Sequence, residues 1–342
     1  MTPQWPRAHG PPPASAVLRR CPEDFVVTEE LGFEPAGEGE HVFLYLQKRQ
    51  LNSMDLVQAI AALSNVAPRD IGLAGLKDRN AVARQWFSVG LAGRAEPDWR
   101  QLERDGDVRV LAATRHRRKL RRGVHRANRF ALTLREVRGD RAALEQRLAH
   151  LREHGVPNYF GPQRFGRQGA TLQQARQWSH SARRITRTRR GLYLSALRAF
   201  LFNTLLGERV ASGQWQTVLP GDVCLLQGTR SLFTCEWPDA AVIARAQRGD
   251  IHPGLPLWGA GRSRAGSERA RSQAGSLQAH RATCAFLVRQ GLEMGWRAAR
   301  VLADDFCWEF CDDGSLRLDF ALGAGSYATA LLAELVQHNE GM

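Results

Sequence analysis

The sequence lacks the local signatures on which most cofactor and metal chemistry depends. It contains no phosphate-binding P-loop, no dinucleotide-binding glycine pattern, no nucleophile elbow and no zinc signature. Its six cysteines lie at positions 21, 224, 235, 284, 307 and 311 without a C-x-x-C pair, a pattern typical of reduced thiols and not of a disulfide scaffold. We therefore expect neither a cofactor nor a metal.

The sequence also lacks long apolar runs and an excess of acidic residues over basic ones. No stretch approaches the roughly 18 apolar residues of a membrane span, and the N-terminus lacks the layout of a signal peptide. Lys and Arg number 48 against 34 Asp and Glu, which gives a net charge of +14. Such a surplus favours an anionic partner, either nucleic acid or an anionic membrane surface. We expect a soluble protein of the cytoplasm.

The order of the predicted elements indicates the fold class. A chain of 342 residues is long enough for two domains of about 150 residues each. Residues 25–89 read as strand, strand, helix, strand, loop and strand, which predicts an α+β sheet domain and not strictly alternating α/β. Residues 259–276 contain no large apolar side chain and are predicted to be a flexible loop. A final helix is expected over residues 330–338.

A loop between two short strands is the first candidate site. In the stretch from Ile71 to Val89, apolar ends flank the polar residues Lys77, Asp78, Arg79 and Asn80. A loop held by two strands can present a reactive group on a rigid scaffold. The alternative is an ordinary turn in which Asp78 or Asn80 bonds its own backbone.

A basic segment is the second candidate site. Seven of the twelve residues from 115 to 126 are Arg or Lys, and none is acidic. Many such runs are solvated tails, but this one leads directly into an alternating strand from Asn128 to Leu134, so its cations can follow a phosphate backbone. We predict that it binds RNA through Arg117, Arg118, Lys119, Arg121 and Arg122. Phe130, in that strand, either stacks on an unpaired base or belongs to the core.

Five motifs in order resemble those of the TruD family. They are Pro22–Val27 (PEDFVV), Gly75–Ala81 (GLKDRNA), Gly123–Phe130, Asn158–Gly166 (NYFGPQRFG) and Gly325–Thr329 (GSYAT). TruD proteins are tRNA pseudouridine synthases that act on uridine 13, in the D-arm. The resemblance implies that Asp78 is the catalytic aspartate and that Asn128 and Phe130 form the N-x-F motif, with the Phe stacking on the target base. Ala83, where many members have Thr, and Tyr327, where Phe is common, depart from the pattern.

The resemblance also implies an architecture and a set of partners. The fold would be a pseudouridine synthase-type catalytic domain with a mixed or antiparallel sheet and helices, formed by residues 1–156 and 291–342. An inserted α/β (TRUD) domain would occupy residues 157–290. The partner would be tRNA, with no membrane and no metal, and we expect a monomer. Phe25, Lys77 and Arg79 are further candidates for RNA contact.

The chemistry of the residues agrees with this interpretation. Converting uridine to pseudouridine needs no redox equivalent, metal or nucleotide cofactor. One carboxylate can attack or stabilise a sugar carbon, or it can act as a general base; the sequence does not choose between these routes. The alternative is a non-catalytic RNA-binding or ribosome-assembly protein, which explains the charge equally well but gives Asp78 no role. A nuclease would need a carboxylate cluster and a methyltransferase a glycine-rich cofactor loop, and the sequence has neither.

Overall fold

The chain forms two compact units, each built from separate segments. A computed structural model describes residues 4–104, 106–181, 183–229 and 231–340. We call the first the large-sheet unit; it consists of Pro13–Glu145, Ala303–Gly325 and the segment that begins at Val336. The second, the small-sheet unit, consists of the segment that ends at Pro12, Gln146–Leu302 and Ser326–Leu335.

The described residues contain strands and helices throughout both units. The strands are β1 Ala14–Leu18, β2 Phe25–Glu30, β3 His41–Arg49, β4 Ile71–Leu73, β5 Val82–Gly90, β6 Val108–His116, β7 Ala127–Gly139, β8 Val156–Pro157, β9 Asp222–Leu226, β10 Leu232–Cys235, β11 Ile251–Leu257, β12 Gly295–Ala298, β13 Arg300–Val301, β14 Asp304–Phe310, β15 Leu316–Gly323 and β16 Val336–Glu340. The helices are α1 Ser53–Ser64, α2 Arg141–His154, α3 Ala170–Ser179, α4 Arg187–Ala211, α5 Ala240–Arg248, α6 Ser267–Ser276, α7 Arg281–Arg289 and α8 Ala328–Leu335.

A ten-stranded mixed sheet organises the large-sheet unit. Its main path runs β14-β15-β7-β2-β5-β3-β6, while β4 pairs with β5, and β1 pairs with both β7 and β16. The β2–β5 and β1–β16 pairs are parallel, and the other pairs are antiparallel. The prediction of an α+β fold with a mixed sheet is confirmed.

Helix α1 covers one face of this sheet. Asn52 occupies its N-cap position and forms a reciprocal capping box with Asp55. Leu56 and Ile60 lie four residues apart on the helix, and both are buried in one cluster with Leu44 of β3. Burial of this apolar stripe fixes the helix beside the strands from which the Asp78 loop emerges.

The small-sheet unit has its own core. The strand order β10-β9-β11-β12 forms a four-stranded antiparallel sheet, and β8 pairs with β13. The long helix α4 contributes Leu197, Phe202 and Leu206, all fully buried, to the largest cluster of this unit. Residues 146–156 and 291–302 lie in the same unit as residues 157–290. The division into a catalytic domain and an insert over residues 157–290 stays a prediction.

Two expectations about elements were wrong. Residues 267–276 are not a flexible loop but helix α6, which buries Gln273 and is followed by the buried Leu277. Glu, Arg, Gln and Ala favour helix even without large apolar side chains. The final helix starts at Ala328 and ends at Leu335, because Val336 begins the strand that pairs with β1. Among the described helices, none combines the length and apolar character of a membrane span.

Candidate active site

Asp78 lies in the loop between β4 and β5 and is held at two points. Its carboxylate, 44% exposed, accepts a hydrogen bond from Nη2 of Arg19 at 2.7 Å. Its backbone carbonyl accepts a hydrogen bond from Nζ of Lys48 at 2.6 Å, and the same ammonium donates to the carbonyl of Leu51, also at 2.6 Å. Cations from the end of β1 and from β3 thus orient both the side chain and the main chain of Asp78.

Lys48 is an unusual support because it is fully buried. Burial lowers the pKa of its ammonium to about 8, while the charge of Asp78 opposes that shift. A buried cation is costly unless its hydrogen-bonding groups are satisfied. The two carbonyls supply that compensation, so the position of the loop and the charge on Lys48 depend on each other.

Lys77 faces into the protein and not toward solvent. Its ammonium forms an ion pair with Glu29 of β2, and the two side chains are 6% and 0% exposed. Burial raises the pKa of Glu29, and the Lys77 ammonium opposes that rise. The backbone N–H of Lys77 donates to Oγ of Ser53 at 3.1 Å, and that hydroxyl donates to Gln85 at 2.8 Å. Lys77 therefore anchors the loop to the sheet, and its predicted RNA contact stays a prediction.

Arg79, the other cation beside Asp78, is exposed. Its Nε donates to the backbone carbonyl of Gln50 at 3.3 Å, which leaves the rest of the guanidinium at the surface. That placement is compatible with the RNA contact predicted from the sequence.

Asn128 and His125 form a second polar pair near this loop. Nδ2 of Asn128 lies 3.2 Å from Nε2 of His125. An amide nitrogen only donates, so Nε2 accepts the bond and the ring is neutral. Burial, aided by the charge of Lys77, lowers the pKa of His125 to about 4, which agrees with a neutral ring. Within the described residues, the buried Oδ1 of Asn128 has no hydrogen-bond partner.

Phe130 follows Asn128 by two residues on β7 and is 6% exposed. Its ring stacks on Phe320 with centroids 5.3 Å apart and meets the edge of Phe25 at 6.1 Å. Phe25 is itself buried, and the guanidinium of Arg19 lies 4.1 Å from its centroid. Arg19 therefore touches both Asp78 and the aromatic cluster. The burial of Phe130 is what its alternative interpretation, a core position, predicts; base stacking by Phe130 or Phe25 stays a prediction.

The basic segment is anchored to the sheet and is not a free tail. Leu120, at its centre, is 3% exposed, and its N–H donates to Oγ of Ser88 at 2.9 Å. Arg117 pairs with Glu38, with Nε 2.9 Å from Oε1, and Lys119 donates to the carbonyl of Arg69. The other three predicted phosphate-binding side chains are exposed, and in the described chain none of them pairs with a carboxylate: Arg118, Arg121 and Arg122.

Sequence reasoning missed four residues of this arrangement: Arg19, Glu29, Lys48 and His125. Lys48 could have been recognised from the sequence pattern of β3. Alternate positions of β3 carry buried Val42, Leu44 and Leu46, and the next position in that row is Lys48. A lysine in the buried row of an alternating strand indicates a satisfied internal cation.

The structure shows the environments of Ala83 and Tyr327, the two residues that depart from the sequence pattern. Ala83 is fully buried in β5. The phenol oxygen of Tyr327 accepts a hydrogen bond from Nε of Arg164 at 2.9 Å, a bond that Phe would not make.

Comparison with known proteins gives the chain a family. The model of the family described as tRNA pseudouridine synthase D (TruD) matches residues 8–173 and 170–335. The chain belongs to the TruD family. The tRNA pseudouridine synthase D of Methylococcus capsulatus is 45% identical over 97% of this chain and 94% of its own length. That of Chromohalobacter salexigens is 43% identical over 98% and 97%. A Methanosarcina mazei structure described as a TruD protein has 19% identity and a TM-score of 0.71 over 98% of this chain and 96% of its own, which shows the shared TruD fold.

Within the described part of this TruD chain, no three His, Cys, Asp or Glu side chains come together as a metal site would require. The candidate site is instead made of one exposed carboxylate, an arginine paired with it, a buried lysine behind it and an amide with an unpartnered oxygen. This set can stabilise positive charge or move a proton at a bound substrate, and it can bind the polar edge of a base.

Proposed function

We propose that this protein is a tRNA pseudouridine synthase that isomerises uridine 13 in the D-arm, with Asp78 as the catalytic carboxylate. The observation that carries the proposal is that Asp78 combines an exposed carboxylate with a main chain fixed by a buried cation, Lys48. Preorganisation of this kind is what a catalytic group requires. The names of the relatives, tRNA pseudouridine synthase D, supply the reaction.

The reaction is an isomerisation, so its atoms balance without a second substrate. The bond from N1 of uracil to C1′ of the ribose breaks, the base turns, and C5 bonds to C1′. The proton on C5 is lost and N1 gains one. The Asp78 carboxylate can bond to C1′, stabilise positive charge there or remove a sugar proton, and Arg19 sets the direction in which that carboxylate faces.

Recognition of the base requires the uridine to leave its stack, at a cost of a few kcal/mol. Oδ1 of Asn128, which has no partner among the described residues, is an acceptor suited to an N–H group of the base. The exposed cations Arg118, Arg121 and Arg122 are suited to phosphates and offset part of that cost. The tRNA partner, the monomeric state and the cytoplasmic location belong to the same proposal.

A charge-removing substitution tests this function. Asp78→Asn retains the shape of the side chain but removes the carboxylate, so pseudouridine should no longer form while tRNA still binds. Asp305→Asn is the matched control, because Asp305 is also an exposed aspartate paired with an arginine, Arg129, at 2.7 Å. The measurements are chemical mapping of pseudouridine in tRNA and an affinity titration.

The outcomes separate the candidates. A wild-type protein that binds tRNA without forming pseudouridine would favour the non-catalytic RNA-binding alternative. Normal conversion by Asp78→Asn would remove Asp78 from the mechanism. A tRNA carrying cytidine at position 13 should remain unmodified, and modification at another uridine would overturn the assignment of the position.

A further inference from the structure

A pocket of about 340 Å³ lies in the large-sheet unit beside the basic segment. Its lining includes Phe33, Phe43, His116 and Val124, with Arg118 and Arg121. We call it the Phe33 pocket. Its volume falls at the lower end of the roughly 300–1,000 Å³ found for ligand sites.

The aromatic rings of the Phe33 pocket form a continuous surface. The centroid of His116 lies 4.5 Å from that of Phe43 and 5.4 Å from that of Phe33. Phe43 is buried at 1% exposure, whereas Phe33 is 38% exposed and Val124 40% exposed. The chain thus leaves an aromatic ring and an aliphatic side chain in contact with water around one concavity.

Hydrogen bonds hold one wall of this pocket. The N–H of Gly37 donates to the carbonyl of Arg115 at 3.0 Å, and the N–H of Ala36 donates to Nδ1 of His116 at 3.1 Å. Since Nδ1 accepts, the neutral ring carries its proton on Nε2. Burial, together with Arg117 and Arg118, lowers the pKa of His116 and favours this neutral form.

The opposite wall is anchored as firmly. Leu120 is bound to Ser88 through its N–H, and the N–H of Gly123 donates to the carbonyl of Ala74 at 2.8 Å. A Cβ at Gly72 would lie 2.3 Å from the carbonyl oxygen of Leu120, so the segment rests directly on the sheet there. With both walls fixed, the cavity is already formed in the free protein.

The lining selects a class of ligand. An apolar aromatic interior favours a flat, hydrophobic group, whereas Arg118 and Arg121 favour an anion attached to it. Neither arginine pairs with a carboxylate in the described chain, and the net charge is +14. A nucleotide combines a planar base with a phosphate, and bases of single-stranded or looped RNA are commonly held by such stacking.

We propose that the Phe33 pocket binds a second nucleotide of the RNA substrate, with its base against Phe33 and His116 and its phosphate on Arg118 and Arg121. The inference rests on the proposed function only in taking RNA as the partner. The segment that forms this wall continues through His125 to Asn128. One short stretch of chain therefore links the pocket to the candidate active site, and the pocket would select RNA by a nucleotide other than the one modified.

The test begins with the ring itself. Phe33→Ala should weaken tRNA binding roughly 5- to 150-fold, the loss expected for one stacked base. Phe33→Trp should retain most of the affinity. Trp237→Ala is the matched control, because that ring, 79% exposed, lies in the small-sheet unit. Each variant is first checked for an unchanged melting temperature, and conversion at saturating enzyme is measured separately.

A second measurement identifies the occupant. Single abasic substitutions are scanned along the tRNA, and one position should reproduce the loss caused by Phe33→Ala. Combining that abasic tRNA with Phe33→Ala should add almost nothing further, since both remove the same contact. Additive losses at every position, or wild-type affinity in a folded Phe33→Ala variant, would overturn the proposal. These readouts are affinities, so they stand even if the wild-type protein forms no pseudouridine.

Discussion

Phe130 combines a core environment with a position next to the candidate site. Its ring is 6% exposed between Phe25 and Phe320. Truncation of a buried Phe removes apolar contacts and leaves a cavity, so Phe130→Ala should lower the free energy of unfolding by about 3–5 kcal/mol. Urea unfolding measures this loss. A change below about 1 kcal/mol would show that the ring does not support the core.

The matched variant Phe320→Ala separates stability from function. Phe320 is fully buried and stacks on the same ring, so its truncation should be similarly destabilising. If Phe130 also contacts the target base, only Phe130→Ala should slow single-turnover conversion by the folded fraction. Equal conversion by the two variants would leave Phe130 with a structural role alone.

The sequence predicted the loop that carries Asp78 but not the residues that hold it. The Lys-Asp motif and its flanking strands are local features, visible in neighbouring positions. The partners Arg19 and Lys48 lie 59 and 30 residues away in the chain. Such contacts depend on strand order, which local periodicity does not specify. The same limit applies to Phe130. Alternation along β7 predicts which face of the sheet its side chain lies on, but not that Phe25 and Phe320 pack against it.

The basic segment is the element on which RNA affinity should depend most. Its exposed cations that pair with no carboxylate in the described chain release counterions from RNA when they bind phosphates. Changing Arg118, Arg121 and Arg122 to Gln should therefore weaken binding of every RNA similarly. The slope of log affinity against log salt should flatten by about 0.7–0.9 for each phosphate that the variant no longer binds. Affinity titrations at several salt concentrations give this slope.

The control for the basic segment uses cations that are already paired. Arg117 is bound to Glu38, and Arg115 is bound to Glu96, so changing these two to Gln should alter the slope less. An unchanged slope in the triple variant would show that the segment is only a solvated surface. Phe33→Ala should leave the slope unchanged, because it removes no charge.

At the scale of elements, local sequence patterns predicted individual strands and helices, but they did not predict which distant segments pair. Alternation predicted β7, and the local strand and helix patterns within residues 25–89 predicted β3 and α1. Helix α6 was missed because it buries little apolar surface. The end of α8 was misplaced because Val336 pairs with Ala14, a partner at the other end of the chain. The strand pairing of Val336 cannot be read from a local window, whereas α6 depends on helix propensity and not on an apolar stripe.

The buried His252 predicts that the stability of the whole molecule depends on pH. His252 is 2% exposed and is bound on both ring nitrogens, by Arg300 at 3.1 Å and Gln227 at 2.7 Å. Since Arg300 donates, the neutral ring donates from its other nitrogen. Burial, with a contribution from Arg300, lowers the pKa of His252 from 6.5 to about 4. The folded chain thus excludes a proton that the unfolded chain accepts.

This difference gives stability a defined pH dependence. Above pH 6.5 neither state protonates His252, whereas between pH 6.5 and about 4 only the unfolded state does. The contribution of His252 to stability should therefore fall as the pH falls, by up to about 1.4 kcal/mol per pH unit. His252→Gln removes the titration, so the stability difference between wild type and variant should shift toward the variant on acidification. Glu29 and Glu334, whose raised pKa values act in the opposite sense, are present in both proteins and cancel. Urea unfolding at pH 7.5, 5.5 and 4.5 tests this, and a constant difference would contradict the role of His252.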